Sequence, residues 1–358
     1  MPVSAPTNDT VKPPEFKVGN NRSLEEANAW TRLYREEPLE PELPIIDAHH
    51  HMWDDQRGRY ALNEYVQDIE SSGHNILATV FVQAGSMYRA DGPDALKPVG
   101  EVEWVNGIAA MSASGRYGRT RVCAGIVGHA DLTRGADVQP VLEALVAAGN
   151  GRLRGIRHGV AWDSGGARSG RNPMPRYLML DPKFRQGFAV LQSLGLSYDA
   201  WQFYPQLPDL VDLLREYPES TVVMNHLGGI LGIPPHDGRR AEVFEIWRGH
   251  LRELAQFPNF NIKVGGLGML YSGWDFHLQD MPPSSQALCA KWRPYVEACI
   301  EVLGPAKCMM EASFPADKQS CGYGVAWNTL KRITHGYSAS EKAALYRDTA
   351  ARVYRLAV

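Results

Sequence analysis

The stretch Ile45-Ile46-Asp47-Ala48-His49-His50-His51 runs from two apolar residues into an aspartate and three consecutive histidines. Successive side chains of a strand point to opposite faces. An extended run therefore predicts Asp47, His49 and His51 on one side and His50 on the other. Burying three ionisable groups on one strand face is costly without partners, which points to chemistry. Imidazoles two residues apart can share a metal ion or flank one substrate oxygen. The plain alternative is a tag or a solvated loop, but a tag sits at a terminus and lacks this apolar lead-in.

A second set of polar groups stands at the ends of other apolar runs. His226 follows Val222-Val223-Met224-Asn225 and precedes Gly228-Gly229, where a missing Cβ lets backbone approach a ligand. Its ordinary pKa of about 6.5 suits a general base. Arg157, with His158 beside it, offers a guanidinium for a substrate carboxylate; an internal ion pair is the alternative. Gln83, Trp201, Tyr204 and Ser313 stand at comparable places as substrate contacts, and Asp317 and Glu311 as further bases, ranked after His226 in that order. Asp317 follows Phe314-Pro315, from where it could fold back over the mouth; Glu311 is expected to sit deeper. Trp53, Tyr88, Trp162 and Trp274 join Trp201 as aromatics that could line a ring-binding pocket or anchor loops.

These groups need a frame that brings strand ends together. Strand-like runs recur at Ile45 to His49, Ile76 to Gln83, Val122 to Val127, Leu153 to Val160, Leu196 to Trp201, Thr221 to His226, Phe260 to Val264 and Cys308 to Phe314. Amphipathic segments lie between them, among them Val141 to Ala148, Phe184 to Leu194, Pro208 to Glu216 and Val243 to Gln256. Strands alternating with helices imply βαβ units and a parallel sheet. Eight such strands fit an α/β fold of the (β/α)8 TIM-barrel type, which runs from about 250 residues to past 400 with insertions; a doubly wound sheet with a second domain is the runner-up. Catalytic groups in a barrel collect at the C-terminal ends of the strands. The segments Gly85 to Trp104 and Leu267 to Pro283 read as long loops beside that mouth. Residues 1–40, rich in Pro, Asn, Glu and Arg with a helix at Leu24 to Glu36, read as an N-terminal arm lying on a barrel of residues 41–358.

The chain has 358 residues, 44% of them hydrophobic, and a net charge of -3 without a basic stripe. This disfavours nucleic acid and anionic membranes as partners and leaves a small-molecule substrate; a homo-oligomer stays open. Five cysteines form neither a CxxC pattern nor a dense disulfide framework, which fits reduced thiols in a cytoplasmic protein. Neither an apolar run of about 18 residues nor a leader-like start is present, so a soluble, unexported chain is expected.

The ordered set Ile46-Asp47-Ala48-His49-His50-His51-Met52-Trp53, Gly155-Ile156-Arg157, Tyr198-Asp199-Ala200-Trp201, Asn225-His226-Leu227-Gly228-Gly229 and Glu311-Ala312-Ser313-Phe314-Pro315-Ala316-Asp317 resembles the amidohydrolase superfamily. It is most similar to the amidohydrolase-2 branch of predicted metal-dependent hydrolases, which includes sugar lactonases and the 2-pyrone-4,6-dicarboxylate lactonase type, with aromatic decarboxylases as relatives. The resemblance spans residue 43 to Leu356 and implies a barrel that hydrolyses a C–O or C–N bond. Two positions depart from the branch pattern: Tyr204 stands where a histidine is common, and Ser313 where an aspartate activates water in many members. Neither replacement can simply take over the original role. The resulting expectation is a site that requires no metal or holds one weakly through His49 and His51, with a divalent ion such as zinc or manganese as the alternative.

Taken together, the sequence predicts a hydrolase of a small cyclic, carboxylated substrate, a lactone first. A metal-dependent, non-oxidative decarboxylase of an aromatic acid and a degenerate ligand-binding member are the competing readings.

Overall fold

A computed structural model describes residues 22–167 and 174–357. Its central sheet has eight strands, each paired in parallel with the next: β1 Ile45–His50, β2 Ile76–Val82, β3 Arg121–Gly128, β4 Leu153–Ile156, β5 Ser197–Ala200, β6 Val222–Met224, β7 Phe260–Val264 and β8 Cys308–Met310. Past β8 the chain returns to β1, where the His51 N–H donates to the Phe314 carbonyl and the Ser313 N–H to that of His49. The sheet thereby closes into the expected TIM barrel. An antiparallel hairpin, Trp53–Asp55 with Gly58–Tyr60, follows β1.

The return helices are α2 Leu62–Ser72, α3 Val99–Ala113, α4 Gln139–Gly149, α5 Pro182–Ser193, α6 Leu207–Glu216, α7 Arg240–Leu254, α8 Ser285–Leu303 and α9 Tyr323–Ile333. Local signals set their ends. Asp181 caps α5 by accepting the Lys183 and Phe184 N–H groups, and α6 turns Leu207, Leu210, Val211 and Leu214 to the core at helical spacing. The stretch expected as a loop from Gly85 to Trp104 enters α3 at Val99.

A second apolar cluster joins Val127 of β3, Val223 of β6 and Met309 of β8 to Ile46, Ala48, Val80, Ala350 and Tyr354. Because these strands stand on different sides of the barrel, the cluster fills its interior, and the C-terminal helix Thr349–Val353 closes one end. The other end is left for polar groups.

Helix α1, Leu24–Thr31, ends earlier than the expected Glu36 and lies against the barrel: Arg22 and Trp30 donate to backbone carbonyls of the 277–280 loop. Residues 1–21 of the expected arm lie outside the described residues. All five cysteines are unpaired and buried. Among the described residues no helix is long and apolar enough to cross a membrane.

Candidate active site

Strand β1 delivers two of its histidines to the mouth, but not as simple alternation predicts. A register shift between Asp47 and His50 marks a bulge, which re-aims the side chains beyond it. Asp47 turns to the helices, where Tyr65 and Tyr323 donate to Oδ2 at 2.8 and 2.9 Å and the Ala312 N–H to Oδ1 at 3.0 Å. His50 shares that side, stacked on Tyr65 and bonded to Thr79 Oγ1 at 2.9 Å. His49 and His51 face inward with their Nε2 atoms 3.1 Å apart. The expectation that Asp47 joins them is therefore corrected: the extra residue in the strand puts it with the outer shell.

Several expected strand ends are shorter than their apolar runs, and each time the functional residue sits just past the ladder. β4 stops at Ile156, so Arg157 and His158 follow it rather than lie in it. β6 stops at Met224 because His226 and Leu227 adopt φ of 50° and 53°, left-handed backbone that no strand continues. β8 stops at Met310, before Glu311 and Ser313, and Ser313 itself has φ 55°.

Glu311 is the hub of the cluster. Its Oε1 lies 2.7 Å from His226 Nδ1 and accepts the His226 backbone N–H at 3.2 Å. Its Oε2 lies 3.0 Å from His49 Nδ1, yet off the direction a ring N–H would need, so it has contact without a hydrogen bond. The His49 and His226 rings are 4.3 Å apart between centroids, and Trp201 meets His226 edge-on at 4.9 Å. Gly265-Gly266 passes so close that a Cβ on Gly266 would overlap the His226 ring, and φ of 68° also favours glycine there.

Arg157 enters from β4. One Nη donates to the Gln83 carbonyl at 2.6 Å and the other lies 3.4 Å from His49 Nε2, while its Nε has no protein partner. Gln83 thus serves this network through its backbone. Burial, ahead of every other cause, holds His49, His51 and His226 well below their usual 6.5; Arg157 adds to the effect at all three, and Lys263 at His49 and His226. Burial also lowers Arg157 to about 10 and pushes Glu311 up to about 8.

Other expected contacts are held elsewhere. His158 accepts the Leu132 N–H at 3.1 Å and packs on His129 and Phe184. Tyr204 lies 2.8 Å from His236 Nδ1, and His236 Nε2 lies 2.8 Å from Asp163, a buried chain tying together the loops after β4, β5 and β6. Asp317 is buried in the turn Ala316–Gln319, where it accepts the Gly268 N–H at 2.9 Å; burial, with the Glu311 and Asp47 charges adding to it, keeps its carboxyl well above the ordinary range. Ser313 Oγ is buried without a protein partner. Trp274 packs on Arg240 and Tyr295, away from the histidines.

Lys263 is the site residue that sequence reasoning missed. Fully buried, it pairs with Asp199 at 2.7 Å and reaches to 3.4 Å from His49 Nδ1. The signal was a lone lysine inside the apolar strand Phe260-Asn261-Ile262-Lys263-Val264.

The donor set fits a divalent cation. His49, His226 and Glu311 can each bring a ligand atom within 4.8 Å of the others, and all are buried. His51 Nδ1 faces the Val82 carbonyl at 2.7 Å; a carbonyl only accepts, so that nitrogen carries the proton and Nε2 is left bare toward His49. Histidine nitrogens with a carboxylate oxygen are what zinc selects. The site thus offers Glu311 and His226 beside the two histidines that the sequence nominated.

Comparison with known proteins agrees with this frame. The family model of the amidohydrolases matches residues 46–356. An uncharacterized protein of Sinorhizobium fredii, y4mH, is 32% identical over 335 residues, 88% of this chain and 99% of that one. The L-fucono-1,5-lactonase of Burkholderia multivorans is 27% identical over 327 residues, 87% of this chain and 96% of its own. Among solved structures, an amidohydrolase from Burkholderia multivorans with bound zinc superposes with a TM-score of 0.66 at 24% identity, over 87% of this chain and 99% of that one. Fold and site define a barrel hydrolase with a histidine–carboxylate cluster at its mouth. The chain belongs to the amidohydrolase family.

Proposed function

We propose that this hydrolase opens a small, carboxylated lactone, with His226 as general base. The observation that carries the reading is the Glu311–His226 pair beside His49, with Arg157 in the same cluster. The likeness to an L-fucono-1,5-lactonase over nearly the whole chain supports the same bond type.

An ionised Glu311 fixes the His226 proton on Nδ1 and leaves Nε2 free to accept one from water. The water oxygen adds to the lactone carbonyl carbon as Nε2 takes its proton; the ring C–O bond then breaks, and the imidazolium returns the proton to the leaving alkoxide. The product is a hydroxy acid. His49 and His51 flank the carbonyl oxygen, and Arg157 anchors the substrate carboxylate through its free N–H groups. A divalent cation held by His49, His51 and Glu311 Oε2, which has no hydrogen-bond partner, would supply Lewis-acid polarisation of that oxygen and leave His226 to act as base. Trp201, beside His226, forms an apolar wall for the substrate ring.

The test is turnover of a panel of sugar-acid and carboxylated pyrone lactones by the protein and by His49→Asn and His226→Asn. Loss of hydrolysis in both variants is expected. Full activity in both would overturn the assignment, and turnover of aromatic acids with release of carbon dioxide, but of no lactone, would replace it with decarboxylation.

A further inference from the structure

His49 Nδ1 stands between a charged ammonium that can only donate and a carboxyl group that, once ionised, can only accept: Lys263 Nζ at 3.4 Å and Glu311 Oε2 at 3.0 Å. The two partners demand opposite tautomers. If Lys263 donates, the neutral ring carries its proton on Nε2, directed at the bare Nε2 of His51 3.1 Å away. Donors and acceptors then match along the whole line from Lys263 through His49 and His51 to the Val82 carbonyl. If Glu311 accepts from Nδ1 instead, His49 Nε2 is bare as well, and two lone pairs face each other at 3.1 Å. That arrangement is unfavourable by itself and suited to a cation. Arg157 Nη1, 3.4 Å from His49 Nε2, favours the second tautomer, but the His51 contact is shorter, and Glu311 Oε2 lies off the ring N–H direction.

We infer that Lys263 is a positioning residue that weakens metal binding, by holding His49 in the tautomer that shares its Nε2 proton with His51 and by placing a buried positive charge beside the cation site. The inference rests on the reading of His49, His51 and Glu311 as a group able to hold a cation. Lys263 is itself fixed: Asp199 pairs with it at 2.7 Å while accepting from Tyr354 at 2.9 Å and Asn225 at 3.0 Å, so the lysine cannot swing aside when a cation arrives. Changes just outside a metal's ligands typically alter affinity by about 10- to 100-fold.

The experiment measures zinc affinity of chelator-stripped protein, by competition with a chromophoric chelator at fixed pH, for the wild type, Lys263→Met and the charge-balanced double variant Lys263→Met/Asp199→Asn. Both variants are expected to bind zinc on the order of 10- to 100-fold more tightly than the wild type. Unchanged or weaker affinity in a folded variant overturns the inference, as does failure of all three proteins to bind zinc. Should both variants fail to fold, the ring-nitrogen 15N shifts of His49 in the stripped wild type decide: a proton on Nε2 supports the inference and a proton on Nδ1 overturns it. Lactone turnover is not read here, so failure of this inference and failure of the lactonase reading are distinguishable.

Discussion

Glu311 Oε1 holds the His226 ring at 2.7 Å and its backbone N–H at 3.2 Å, so one carboxylate oxygen fixes both the orientation of the imidazole and the left-handed turn it stands on. His226→Asn tests the base without breaking that turn, because asparagine tolerates positive φ better than most residues. Its kcat is expected to fall by roughly 10²- to 10⁴-fold, the usual worth of general base catalysis, with KM little changed. Circular dichroism serves as the folding control.

The pH dependence follows from the same pair. Burial pushes the Glu311 carboxyl up to about 8 and holds His226 well below 6.5, so the imidazole is already neutral near neutrality while the carboxylate is not fully formed. Raising pH through 8 ionises the pair in its working form, and kcat/KM, corrected for spontaneous lactone opening, is expected to rise there with no inflection at 6.5. Apparent constants belong to the pair, not to either residue. Glu311→Gln should abolish the rise. A profile that turns at 6.5 and is flat through 8 would contradict this account.

Arg157, as the proposed anchor of the substrate carboxylate, is expected to distinguish a charged substrate from a neutral one. A charge-assisted hydrogen bond is worth about 1.5–3 kcal/mol, so Arg157→Met should raise KM for a carboxylated lactone by roughly 10- to 100-fold while sparing a neutral lactone of the same ring. Arg157→Lys should recover little, since the planar fork is lost. Equal effects on both substrates would remove the anion-anchoring role.

Tyr204 is expected to matter for stability more than for turnover. Its hydroxyl partners His236, which in turn partners Asp163, so Tyr204→Phe leaves a buried nitrogen unpaired, at a cost of about 1–3 kcal/mol. A lowered Tm with kcat/KM nearly unchanged is the expected result; a collapse of kcat/KM with Tm intact would return Tyr204 to the substrate.

The barrel was legible because hydrophobic runs and helical spacing are local properties, and all eight strands fall inside or overlap the runs that Ile45, Ile76, Val122, Leu153, Leu196, Thr221, Phe260 and Cys308 begin. His49, His51, Arg157 and His226 were legible because each stands within, at the end of or just past such a run. What strand alternation could not give was Asp47, because a bulge is set by pairing with a distant strand. His158, Tyr204 and Asp317 look equivalent to site residues in one dimension, yet their partners Leu132, His236 and Gly268 are supplied by other loops. Lys263 was visible as a charge in an apolar strand, but its meaning needed Asp199 and His49 on neighbouring elements.

The most direct test of the central claim is hydrolysis of a carboxylated lactone in water enriched in oxygen-18, with the product read by mass spectrometry. Attack of water on the carbonyl carbon predicts one labelled oxygen per turnover in the newly formed carboxylate, and at least about 100-fold slower formation of that product by His226→Asn. Label in the product hydroxyl instead, or undiminished turnover by the variant, would contradict it.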